Sequence, residues 1–77
     1  MKIYFAHNIR HVRTSWPLSQ PKFARMFGVT TRQVQNWEAG ISLPTIPNAI
    51  KIVKVLKKMF TPVSIDRLLF KELKHIS

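Results

Sequence analysis

Cysteine is absent from the 77 residues, so the chain has no disulfide and no thiolate metal site, and a reducing cytoplasm is a permitted home. Acidic residues are nearly absent too: Glu38, Asp66 and Glu72 stand against 13 lysines and arginines, for a net charge of +10. Glycine occurs only at Gly28 and Gly40, which leaves no glycine-rich loop to cradle a phosphate. No apolar run approaches the roughly 18–20 residues of a membrane span. The opening Met-Lys-Ile-Tyr-Phe-Ala-His-Asn turns polar too early for a signal peptide. A chain of this length is expected to form one small domain of modest stability, burying about 60% of its unfolded surface.

Catalytic and metal chemistry are poorly supplied. His7 and His11 stand four residues apart on a helical stretch, but no third ligand of the right type is near them. Thr14, Ser15 and Ser19 lie close to histidines without an acid to orient a base. The chain is therefore read as a non-enzyme with no metal and no cofactor. The charge excess points to a polyanion, and nucleic acid fits better than an anionic membrane surface.

Helical periodicity runs through the whole chain, and no strand pattern or repeat interrupts it. Phe5, Ala6, Ile9 and Val12 predict a first helix over Lys2–Arg13, broken at Thr14-Ser15-Trp16-Pro17. Ser19 is the N-cap of a second helix with Pro21 in its first turn. Its inner face is Phe23, Ala24 and Phe27, and Gly28 ends it. A third helix starts at Thr30-Thr31-Arg32-Gln33, a capping box, carries Val34 and Trp37 inward, and stops at Ala39-Gly40. After an Ile41–Pro44 loop, Thr45 caps a fourth helix with Pro47 in its first turn. Ala49, Ile52, Val53 and Leu56 form its buried stripe, and Lys51, Lys54, Lys57 and Lys58 its charged side. Met59-Phe60-Thr61-Pro62 breaks the pattern. Ser64 caps a fifth helix with Ile65, Leu68 and Leu69, and Phe70–Ser77 either extends it or frays. Met59, Phe60, Pro62 and Val63 either close the core or make a dimer patch. Trp37 reads as core. Trp16 reads as a cover for the corner between the first two helices, because no neighbouring aromatic platform supports stacking on a single strand.

The run from Gln20 to Ala39, two short amphipathic helices around one glycine, has the form of a helix-turn-helix for double-stranded DNA. On the third helix Arg32 and Asn36 lie opposite Val34 and Trp37, with Gln33 and Gln35 flanking and Thr31 at the leading end. Arg pairs with guanine O6 and N7, Asn or Gln with adenine N6 and N7, and the Thr methyl with the thymine methyl. Thr31, Arg32, Gln35 and Asn36 are therefore the expected base readers. Ser19, Gln20 and Lys22, at the start of the second helix, suit a phosphate. Arg10 either reaches a phosphate or stays solvated.

The chain resembles the Cro and lambdoid-phage-repressor class of helix-turn-helix regulators, also called Xre-like. The resemblance rests on Phe23, Ala24, Phe27, Gly28, Val29, Val34 and Trp37, with Ile9, Val12 and Arg13 before the motif. Leu18-Ser19-Gln20 opens it and Trp37-Glu38-x-Gly40-x-x-x-Pro44 closes it. It covers roughly Phe5–Leu69. It implies an all-α, compact five-helix bundle, with the domain over 1–77, its core over about 5–69 and a C-terminal tail over 70–77. It also implies the third helix in the major groove and a homodimer, at least on DNA, with half-sites about one turn apart.

The resemblance further implies a buried ion pair between Arg13 and Glu38. Where relatives often carry basic residues after Gly40, this chain has Ile41-Ser42-Leu43, so phosphate contacts there fall to backbone N–H groups or Ser42. The function implied is a transcriptional regulator, a Cro-like repressor of phage or prophage type, acting in the bacterial cytoplasm or nucleoid. With no second domain for sensing or self-cleavage, its control would come from concentration, a partner or turnover. An antitoxin that represses its own operon and binds a toxin is the alternative of the same chemistry. A protein-interaction module of the same fold that does not bind DNA is the alternative of another class.

Overall fold

The computed structural model describes residues 2–58 and 63–73. Within them the chain forms five helices: α1 (Lys2–Ser15), α2 (Gln20–Phe27), α3 (Thr31–Glu38), α4 (Ile46–Leu56) and α5 (Ile65–Phe70). The described residues contain no strand. Each boundary has a local chemical cause. Ser19, Thr30, Thr45 and Ser64 are extended N-caps whose hydroxyls accept the N–H three residues on, and Thr30 and Gln33 close the capping box in both directions. Gly28 and Gly40 adopt φ of 67° and 73°, a region that costs a side chain free energy. At Gly28 this lets the Val29 N–H fold back to the Ala24 carbonyl at 2.9 Å, turning the chain from α2 into α3.

α1 runs two residues past the expected end at Arg13. The Thr14 hydroxyl donates to the Arg10 carbonyl at 2.9 Å and the Ser15 hydroxyl to the His11 carbonyl at 2.7 Å, which holds one more turn before Pro17.

α1 is the central element. It packs against α3 on one side and α5 on the other, while α2 packs on α3 and on α4, and α4 on α5. Phe5, Ile9 and Val12 of α1 meet Phe23, Phe27, Val34, Trp37, Ile52, Leu56 and Leu68 in one buried cluster. Phe5 meets Trp37 edge-on, with ring centroids 5.7 Å apart. Trp16 is half-buried and tilts over Phe23 at 6.3 Å, covering the corner between α1 and α2.

Two apolar residues settle where the sequence left choices. Val63 is buried and belongs to the core; Met59, Phe60 and Pro62 lie outside the described residues. Leu73, in the expected tail, is also buried in the same cluster, so the core reaches past Leu69. The reason is Asn8. It is a polar residue with 2% exposure, and its amide donates to the carbonyls of Leu68 at 2.6 Å and Lys71 at 2.8 Å. Its oxygen accepts the Leu73 N–H at 3.0 Å. With both ends of the amide satisfied, Asn8 pulls the chain after α5 down onto α1.

Candidate nucleic-acid interface

α3 is short, so its placement depends on what holds it. Val34 and Trp37 are buried beneath it, the capping box fixes its start, and Glu38 fixes its end. The Glu38 carboxylate has 5% exposure and takes a two-point contact from Arg13. Nε reaches Oε2 at 2.6 Å and Nη2 reaches Oε1 at 3.0 Å. Arg13 also donates through Nη1 to the Leu18 carbonyl at 3.0 Å, so one guanidinium ties α1 to the turn before α2 and to the end of α3. The hydrogen bond to Glu38, aided by its charge, raises the Arg13 pKa above the ordinary arginine value against the opposing effect of burial.

Two residues expected at the DNA backbone join the same carboxylate. Gln20 Nε2 donates to Glu38 Oε1 at 3.3 Å. Arg10, expected at a phosphate or in solvent, keeps an exposed side chain and donates through Nη2 to the Glu38 carbonyl oxygen at 2.9 Å, with its Nε 3.9 Å from Oε1. The Gln20 amide carries a second proton that this bond does not use.

The outer side of α3 is different. Arg32 and Gln35 are exposed, Thr31 and Asn36 half-buried. Among the described residues no side-chain hydrogen bond or ion pair engages any of the four. Donors and acceptors suited to base edges thus stand on the solvent side of a helix whose other side is fixed. At its N-terminus the capping box uses the Thr30 and Gln33 N–H groups, which leaves those of Thr31 and Arg32 at the leading end.

At the start of α2 the first turn offers less backbone than a bare helix end. Pro21 has no N–H, the Lys22 N–H is taken by the Ser19 hydroxyl at 3.3 Å, and the Phe23 N–H by the Ser19 carbonyl at 3.0 Å. The Gln20 N–H remains, beside the Ser19 hydroxyl and the Lys22 ammonium, both on exposed residues. After α3 the backbone turns inward as well. The Ile41 and Ser42 N–H groups both point to the Asn36 carbonyl, at 2.9 and 3.4 Å. Of the phosphate donors expected in that loop, the Ser42 hydroxyl and the Leu43 N–H are not engaged among the described residues.

Sequence reasoning missed Asn8, although its position was a signal: it completes a 5, 8, 9, 12 spacing of buried residues on α1. The described residues hold no group of three His, Cys, Asp or Glu able to bind a metal ion, and no helix among them is long and apolar enough to cross a membrane.

A helix-turn-helix family profile of Cro/C1 type matches residues 18–59, more than half of the chain and the whole of α2, α3 and α4. The chain belongs to this family of DNA-binding helix-turn-helix regulators. No curated protein and no solved structure matches it.

Proposed function

We propose that this protein is a sequence-specific, Cro-like transcriptional repressor that binds a palindromic operator as a homodimer. The observation that carries the reading is the contrast between the two sides of α3. One side is locked by Val34, Trp37 and Glu38; the other presents Thr31, Arg32, Gln35 and Asn36 with no side-chain hydrogen bond or ion pair among the described residues. Unengaged polar side chains carried on a fixed helix are what major-groove readout needs. Arg32 reads guanine, Asn36 and Gln35 read adenine, and Thr31 meets a thymine methyl at the leading end. Ser19, Gln20, Lys22 and Ser42 hold phosphates and set the register. The net charge of +10 supplies the sequence-independent attraction. The whole chain serves as one DNA-binding unit, working in the bacterial cytoplasm.

Selection of bound sites from a random duplex library at near-physiological salt tests this. The expected result is an enriched two-fold sequence with half-sites about one helical turn apart. Binding without enrichment that vanishes as salt rises would leave only charge-driven affinity and would overturn the reading.

A further inference from the structure

The last carbonyl of α3 is closed from a distant stretch of chain. A helix leaves its last four carbonyls without intrahelical partners, and here all four are occupied. Gln35 O accepts the Ala39 N–H at 3.0 Å, Asn36 O the Ile41 N–H at 2.9 Å, and Trp37 O the Gly40 N–H at 3.1 Å. The fourth, Glu38 O, accepts Arg10 Nη2 at 2.9 Å, from a residue 28 positions earlier. Arg10 bridges an open notch in which Ile3, Ala6 and His7 of α1 face Glu38, Ala39 and Gly40. A cation at this place also complements the helix dipole.

We infer that Arg10 is a positioning residue for DNA readout: it seats the C-terminal end of α3 on α1 and so aims the base-reading side chains. Arg13 and Gln20 hold the Glu38 side chain, and Arg10 holds its backbone. Among the described residues Arg10 alone reaches the α3 backbone at Glu38 from α1. The lever is short but sufficient. α3 spans eight residues, about 10 Å from first to last Cα. A tilt of about 6° about the Thr31 end moves Glu38 by about 1 Å and carries Asn36 by roughly 0.8 Å, enough to spoil a bidentate base contact. Arg10 thereby acts on specificity without touching DNA.

The effect on DNA rests on the proposed function; the contact itself does not. The test is therefore Arg10→Met, read two ways. Arg10 is exposed, so the variant keeps its fold, checked by its melting curve. In the free protein, amide exchange at Ala39, Gly40 and Ile41 is expected to speed up at least about threefold, while the Val29 amide in the α2–α3 turn keeps its wild-type rate. With a duplex selected by the wild-type protein and a scrambled duplex of equal length, the affinity ratio is expected to fall at least about fivefold. The slope of log affinity against log salt stays as in wild type. A slope reduced by about one with the ratio unchanged makes Arg10 a phosphate contact and overturns the inference, as do unchanged exchange rates at 39–41. If the wild-type protein selects no sequence, the proposed function fails while the exchange rates still decide whether Arg10 seats α3.

Discussion

Asn8 and Leu73 are joined across 65 positions of sequence by a single 3.0 Å bond from the Leu73 N–H to the Asn8 side-chain oxygen. The same side chain holds the carbonyls of Leu68 and Lys71. This amide is the only uncharged polar side chain in the buried interior of the described residues, and it makes the end of α5 part of the bundle. Asn8→Ala strands two or three backbone groups in a partly dry place. At about 1–3 kcal/mol for an unsatisfied buried group, the variant is expected to lose about 2–3 kcal/mol. Thermal melting checks this, and a wild-type curve would refute it. Asn8→Asp is expected to be no better, since a carboxylate accepts the Leu73 N–H but repels two carbonyls.

Glu38→Ala removes the acceptor that Arg13, Gln20 and the Arg10 Nε share. Breaking a buried pair by one partner costs about 3–5 kcal/mol. The lower figure applies here because the Arg13 side chain keeps 19% exposure. A loss of about 3 kcal/mol lowers the melting temperature by more than about 10 °C in a domain of this size. The pH dependence has a definite sign. The pair raises the Arg13 pKa in the folded state, so its contribution is fully present at neutral pH and is lost only as pH climbs through the strongly alkaline range. A wild-type minus Glu38→Ala difference in stability that shrinks between pH 7 and pH 9 would contradict this.

Arg32→Ala and Lys22→Ala separate reading from holding. Arg32→Ala is expected to cost about 1–3 kcal/mol on the selected duplex, to relax the preference at one base pair and to leave the melting curve unchanged. Lys22→Ala is expected to weaken selected and scrambled duplexes alike and to lower the salt slope by about one. Titrations of both variants against both duplexes at three salt concentrations decide the assignment.

Gly28→Ala tests the turn between α2 and α3. An added Cβ would meet nothing within 4 Å, so the cost is the backbone's alone. With φ at 67° it is expected to be about 1 kcal/mol, and smaller for Gly28→Asn, which tolerates this region better. A larger loss in the melting curve would point to a clash that the fold does not contain.

The helices and their caps were legible in the sequence because their causes are local. Ser19, Thr30, Thr45 and Ser64 act within three residues, and Gly28 acts where it stands. The buried stripes of α2, α3 and α4 followed from spacing alone. What the sequence did not reveal depends on residues that are distant in the chain. Asn8 acts 60 or more positions away, and Leu73 enters the core beside it with its N–H on the Asn8 oxygen. In the sequence Arg10 and Gln20 stand out for their reach toward a phosphate, as a cation on α1 and an amide at the start of α2. Their attachment to Glu38 requires knowing that α1, α2 and the end of α3 converge. Arg13 and Glu38 could be paired only through the family resemblance, since nothing in their spacing of 25 residues predicts contact.

Glu38 is the sole carboxylate in the first 65 residues, and it is spent entirely on the protein's own arginine and its neighbours. A carboxylate paired this closely with a guanidinium leaves little net charge to be felt several ångströms outside. Under the proposed function, a polyanion approaching α2 and α3 would meet Lys22, Arg25 and Arg32 with no other acid on either helix, which favours its capture there. The same ion pair that stiffens the fold would then also speed the encounter, by offsetting the one carboxylate that α2 and α3 carry.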